Sequence, residues 1–176
     1  MADRRLTGVL LVGGASTRFG SPKALARLYG RTLAEHAWGT LAFCDERIAV
    51  GKTDDRLELP FPVLDDGSHI RAPIVGLVAG LRAARNELAV VLPVDTPRVD
   101  AGTLRALADH AVDAAFPPTG PLPGAYRKKA LPALEAAIAA GELSLWKATQ
   151  RLDAVQVEVD PELIANVNTP DDLSRL

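Results

Sequence analysis

The chain has 176 residues, 48% of them hydrophobic and 24% charged, and its formal net charge is −2. That size and balance suit one globular domain over residues 1–176 with a substantial core, argue against disorder, and leave no basic footprint for nucleic acid. Cys44 is the only cysteine, so an internal disulfide is excluded, and the three histidines, His36, His69 and His110, are scattered without metal-ligand spacing.

The chain opens with Asp3-Arg4-Arg5 before an apolar run, Val9 to Val12, that is short and soon followed by Arg18 and Lys23. This is a first strand rather than a signal peptide. No run approaches the roughly 18 apolar residues of a membrane span, so a soluble, cytoplasmic protein is expected. Thr32 to Phe43 has helical composition, with Leu33, Ala37, Leu41 and Ala42 on its apolar face. Arg47 to Gly51 reads as a second strand, and Phe61 to Leu64 as a short one ending in the acidic turn Asp65-Asp66-Gly67. Ile74 to Arg85 carries Leu77, Leu81 and Ala84 at helical spacing. Leu88 to Val94 is the most apolar run and ends at Asp95-Thr96-Pro97.

An amphipathic helix is expected over Thr103 to Val112, and another strand over Asp113 to Phe116. The stretch through Pro117, Pro121, Pro123 and Gly124 reads as an ordered loop across one face. Leu131, Leu134 and Ile138 mark a helix stopped by Gly141, and Val155 to Val159 alternates as a half-buried edge strand does. At the C-terminal end, Thr169 can cap a short helix, with Pro170 in its first turn and Asp171 and Asp172 at its positive end. Strands alternating with helices predict an α/β fold: a mostly parallel, Rossmann-like sheet in a three-layer α/β/α sandwich.

The segment from Leu10 to Lys23, LLVGGASTRFGSPK, organises the rest. A strand empties into Gly13 and Gly14, which let backbone N–H groups approach an oxyanion, while Arg18 and Lys23 bring positive charge. It is not a P-loop, because Ser21-Pro22 separates Gly20 from Lys23 and Ala24 follows the lysine. Nor is it a dinucleotide fingerprint, because the first glycines are adjacent and Arg18 stands where the last would fall. A plain strand-to-helix turn accounts for Gly13 and Gly14 but not for Arg18 and Lys23.

Ligands of open parallel sheets bind beyond the carboxyl ends of the strands, where the Gly13 loop, Asp66 and Asp95 all fall. Asp95 is a hard oxygen ligand suited to Mg²⁺ that also takes substrate phosphates, or equally the start of a turn that caps the next helix. Asp66 by itself reads first as part of a surface turn. Asn166 and Asn168 fit a helix-entry turn, and Arg127 and Lys128, after the proline loop, could meet an acceptor phosphate or equally be solvated surface charges.

GGASTRFGSPKA resembles GGxSxRMGxxK, the signature of the MobA-like nucleotidyltransferases related to molybdenum cofactor guanylyltransferase, with Phe19 in place of methionine. The likeness runs from about Thr7 to Leu173. It implies transfer of GMP from GTP to the terminal phosphate of molybdopterin, releasing pyrophosphate, with Mg²⁺ as cofactor. The same chemistry with CTP, or with another phosphorylated acceptor, is the near alternative, and a non-catalytic nucleotide-binding protein that delivers cofactor is a remoter one. By resemblance, Arg18, Lys23 and Asp95 are catalytic and Asp95 holds the metal. Leu11, Gly13, Gly14, Lys23, Asp66 and Asp95 would bind GTP, and Asn166 and Asn168 in NVNTPDD the pterin acceptor. Ala72-Pro73-Ile74-Val75-Gly76 departs from the family's glycine-proline-leucine segment, and Gly51 stands where guanylyltransferases carry asparagine. The implied partners are transient contacts with cofactor-biosynthesis proteins or acceptor molybdoenzymes, without nucleic acid or membrane.

Overall fold

The computed structural model describes residues 5–13 and 22–176. Along the chain run β1 (Leu6–Leu11), β2 (Arg27–Leu28), β3 (Arg31–Thr32), α1 (Leu33–Thr40), β4 (Glu46–Gly51), β5 (Val63–Asp65), α2 (Pro73–Ala83) and β6 (Leu88–Pro93). They are followed by α3 (Ala101–His110), β7 (Ala114–Phe116), β8 (Gly124–Arg127), α4 (Leu131–Ala139), α5 (Leu145–Thr149), β9 (Ala154–Gln156) and α6 (Pro170–Ser174). Seven strands form the main sheet in the order β5-β4-β1-β6-β8-β7-β9, and β2 and β3 pair as a separate hairpin.

β5, β4, β1 and β6 are mutually parallel. Only β8 opposes its neighbours, pairing antiparallel with both β6 and β7. Successive side chains of a strand point to opposite faces, so β1 feeds two cores. Val9 and Leu11 pack with Ile74, Leu77 and Leu81 of α2 and with α4 and α5. Leu10 and Val12 pack with α1 and α3 through Ala37, Leu104 and Leu107. Helices on both faces of a mostly parallel sheet make the expected three layers.

The helix over residues 32–43 departs from the expectation at its end. It is α-helical only to Thr40 and continues as a 3-10 turn, Leu41–Phe43. A 3-10 turn advances each residue further around the axis than an α-helix does, and Ala42 is carried out to solvent while Leu41 stays buried. Four elements have no counterpart in the sequence reading: the hairpin strands β2 and β3, α5 and β8. α5 is a five-residue helix capped by Ser144, and β8 emerges directly from the proline loop. A Cβ at Gly124 would lie 2.7 Å from the Pro121 carbonyl oxygen and 2.8 Å from the Tyr126 ring. The strand therefore starts where only glycine fits. The edge strand β9 is shorter than expected, although the Val157 N–H still donates to the Phe116 carbonyl at 3.0 Å.

No helix among the described residues is long and apolar enough to cross a membrane. Cys44 is a free, half-buried thiol pushed up to about 12 by burial, so it stays protonated.

Candidate functional site

The register of the sheet places the site. Leu11 lies level with Val50 on one side and Pro93 on the other, and Gly51 is level with Asp65. The ladders run one step further, because the Val12 N–H reaches the Val50 carbonyl, the Val94 N–H the Leu11 carbonyl, and the Asp66 N–H the Gly51 carbonyl. The residues that follow are thus held at one height on the rim, around a cleft of ≈ 430 Å³. That volume suits a small-molecule ligand.

Leu11, Gly13, Lys23, Asp66, Asp95 and Asn166 all line this cleft. Asn168 joins them through Lys23, whose Nζ donates to Asn168 Oδ1 at 3.3 Å and stands 3.6 Å from Asp95 Oδ2. Gly14 and Arg18 lie outside the described residues. The turn Asn166-Val167-Asn168 is anchored by the Val167 N–H, which donates to the Asp95 carbonyl at 2.7 Å. Beyond it, Thr169 and Asp172 form a reciprocal capping box, and Asp172 Oδ2 also accepts from the Asn168 N–H. The expected helix entry is therefore present, and it presents Asn168 to the loop lysine.

Asp95 is not a helix cap, because α3 takes its cap from Asp100, which accepts from the Thr103 N–H at 2.7 Å. Burial raises the Asp95 carboxyl above its ordinary value against the pull of the Lys23 ammonium. A carboxylate in this state gains from a further cation. No group of three or more His, Cys, Asp or Glu among the described residues could cage a metal by itself. The donor set fits a hard divalent ion that takes one protein carboxylate and completes its shell with substrate phosphates.

At the other end of the cleft, Lys52 Nζ donates to both oxygens of Asp66, each at 2.8 Å, and to the Ser68 carbonyl at 2.6 Å. The Ser68 N–H returns a bond to Asp66 Oδ1. The acidic turn is real, and one of its carboxylates also lines the cleft. Sequence reasoning missed Lys52, although a lysine directly after a parallel strand was the signal. It also missed Arg71 on the rim, which pairs with Asp55 at 2.8 Å. Arg127 faces elsewhere. It is level with Leu88 at the opposite end of β6, and its Nε donates to the Ala111 carbonyl.

Gly51 has a steric reason. A Cβ there would lie 2.9 Å from Val12 Cγ2 and 3.1 Å from Val63 Cγ1, and β-branched valines have little rotamer freedom to withdraw.

The model of the MobA-like NTP transferase domain matches residues 8–155. The chain belongs to the MobA-like NTP transferase family. It is 33% identical over 182 residues to the molybdenum cofactor guanylyltransferase of Pseudomonas syringae pv. syringae, covering 92% of this chain and 88% of the relative. A probable molybdenum cofactor guanylyltransferase of Chloroflexus aggregans is 31% identical over 192 residues, covering 96% and 91%. Among solved structures, molybdopterin-guanine dinucleotide biosynthesis protein A of Archaeoglobus fulgidus superposes with a TM-score of 0.80 at 29% identity, covering 96% of this chain and 95% of that one. The MobA-like fold thus carries the cleft at its strand ends, and the chain is a nucleotidyltransferase by family.

Proposed function

We propose that this MobA-like protein, acting as one domain over residues 1–176, transfers GMP from GTP to the terminal phosphate of molybdopterin. One observation carries the reading: Lys23 and Asp95 meet at one end of the cleft, beside Gly13 of the glycine loop. The names of its guanylyltransferase relatives support the guanine nucleotide and the pterin acceptor.

An oxygen of the acceptor phosphate attacks the α-phosphorus and forms the new P–O bond. The bond from the α-phosphorus to the bridging oxygen breaks, and pyrophosphate leaves with the electron pair. The acceptor is already ionised near neutral pH, so no general base is needed. What remains is positioning and neutralisation of charge. Backbone N–H groups at Gly13 and Gly14, with Arg18 and Lys23, hold the phosphates. Asp95 would hold Mg²⁺, which supplies charge stabilisation and orientation at the α-phosphate. Leu11 and Asp66 bound the nucleoside, and Asn166 and Asn168 the acceptor side. The compartment is the cytoplasm, where cofactor-biosynthesis proteins or acceptor molybdoenzymes would receive the product.

The test incubates the protein with Mg²⁺ and molybdopterin, with GTP or CTP in separate reactions, and follows pyrophosphate and the pterin dinucleotide. GTP-dependent product is expected. CTP-dependent product would keep the mechanism and overturn the base. Neither product, with nucleotide still bound, would point to another acceptor or to cofactor delivery without catalysis.

A further inference from the structure

The Lys52–Asp66 pair is nearly buried, with side chains 10% and 7% exposed, yet both residues line the cleft. Lys52 follows β4 and Asp66 follows β5, two and three strand spacings from Asp95 at the end of β6. Adjacent strands lie about 4.8 Å apart, so roughly 14 Å separates the ends of β5 and β6, room for a nucleoside beyond its phosphates. Between them Leu11, Val12, Val50, Ala72 and Pro73 offer an apolar wall. A flat base fits there, and the polar group that meets its edge sets its identity.

Position 51 contributes no side chain to that edge, because a Cβ would collide with Val12 and Val63. The carboxylate of Asp66 is the acceptor present. An ammonium has three donors, and those of Lys52 are taken up by Asp66 Oδ1, Asp66 Oδ2 and the Ser68 carbonyl, so Lys52 has none left for a ligand. Asp66 Oδ1 accepts from both Lys52 and the Ser68 N–H, whereas Oδ2 accepts from Lys52 alone. With about two acceptor positions per oxygen, one position remains, on Oδ2.

We propose that Lys52 is a positioning residue for base recognition: it locks the Asp66 carboxylate so that Oδ2 accepts from a single exocyclic amino group. This rests on the guanylyl-transfer reading, under which the amino group is the 2-amino of guanine. The lysine itself touches no substrate.

The test measures dissociation constants for GTP and ITP, which lacks the 2-amino group, in the presence of Mg²⁺ and without acceptor. A hydrogen bond to a charged group is worth about tenfold or more in affinity, so the wild type should prefer GTP by about that factor. In Lys52→Met the carboxylate is released, and the preference should fall to about twofold or less. Lys52→Met strands a buried carboxylate, so the double variant Lys52→Met/Asp66→Asn, which leaves no unpaired charge, is measured beside it with its melting temperature. The double variant should keep the fold and lose the preference too. A preference unchanged in either folded variant, or absent in the wild type, overturns the inference and leaves guanylyl transfer standing. A wild type that makes product from CTP and not from GTP overturns that reading, and the inference with it.

Discussion

Lys23 and Asn168 stand 145 positions apart in the sequence and meet at 3.3 Å, Nζ donating to the side-chain oxygen. The residue expected at the nucleotide phosphates thus touches one expected on the acceptor side. Asn168→Ala should raise the KM for nucleotide severalfold as well as that for acceptor, because a typical hydrogen bond contributes about 1 kcal/mol. Steady-state kinetics with each substrate varied in turn checks this. A nucleotide KM that does not move would show that the contact has no part in the working enzyme.

Lys23 and Asp95 stand on the cleft rim rather than in the apolar core. Lys23→Ala and Asp95→Ala should each lower turnover by about a hundredfold or more, the scale of losing one electrostatic stabiliser of developing charge. Circular dichroism should remain that of the parent. Pyrophosphate release at the parental rate would remove the residue concerned from the mechanism.

Placing at position 51 the asparagine that the family resemblance implies should harm this chain. The new Cβ would press on Val12 and Val63, and overpacking of this kind costs about 1–3 kcal/mol. Urea denaturation of Gly51→Asn should show a lowered midpoint and nucleotide titration a weakened affinity. An unchanged midpoint would mean that Val12 moves aside freely.

Tyr126 is fully buried, and its hydroxyl donates to the Pro121 carbonyl at 2.6 Å, tying the proline loop to β8. Leu122 of that loop lines the cleft. Tyr126→Phe leaves a carbonyl without its donor and should cost about 1–3 kcal/mol in chemical denaturation. Burial also raises the phenol well above its ordinary value, so Tyr126 should ionise only on unfolding in a spectrophotometric titration at high pH.

Acid should weaken the fold through specific carboxylates. The Thr53 hydroxyl and N–H and the Gly67 N–H hold Asp65 at about 2, against an ordinary 3.8. Asp100 and Asp172 are lowered by the N–H groups of Thr103 and of Asn168 and Thr169. Each has a folded value below its unfolded one, so its contribution is present above the ordinary carboxylate value and lost as the pH falls through its folded value, about 2 for Asp65. Asp95, raised by burial, acts in the opposite sense. Urea midpoints measured from pH 5 to pH 2 should decline. A flat profile would show that these bonds survive protonation.

Local chemistry made much of the chain legible. The alternation of strand and helix, the apolar run Leu88 to Val94, the glycine loop and the Thr169 cap are patterns of neighbours, and they carried the three-layer fold and put Gly13, Lys23 and Asp95 at the strand ends, whereas Leu11, Asp66, Asn166 and Asn168 came as binding residues from the family resemblance. The C-terminal box closes as read because Thr169 and Asp172 are three residues apart. β8 escaped notice because Gly124–Arg127 follows a proline loop and pairs with strands distant in sequence, antiparallel in a sheet whose order only tertiary packing sets. Lys52 escaped because its partner, Asp66, lies fourteen positions on and is brought near by the pairing of β4 with β5. The sequence by itself determined which side chains were available and where strands would end. The tertiary structure decided which of them meet, because charge pairing and the exclusion of a side chain at Gly51 depend on distances between strands that no local pattern encodes.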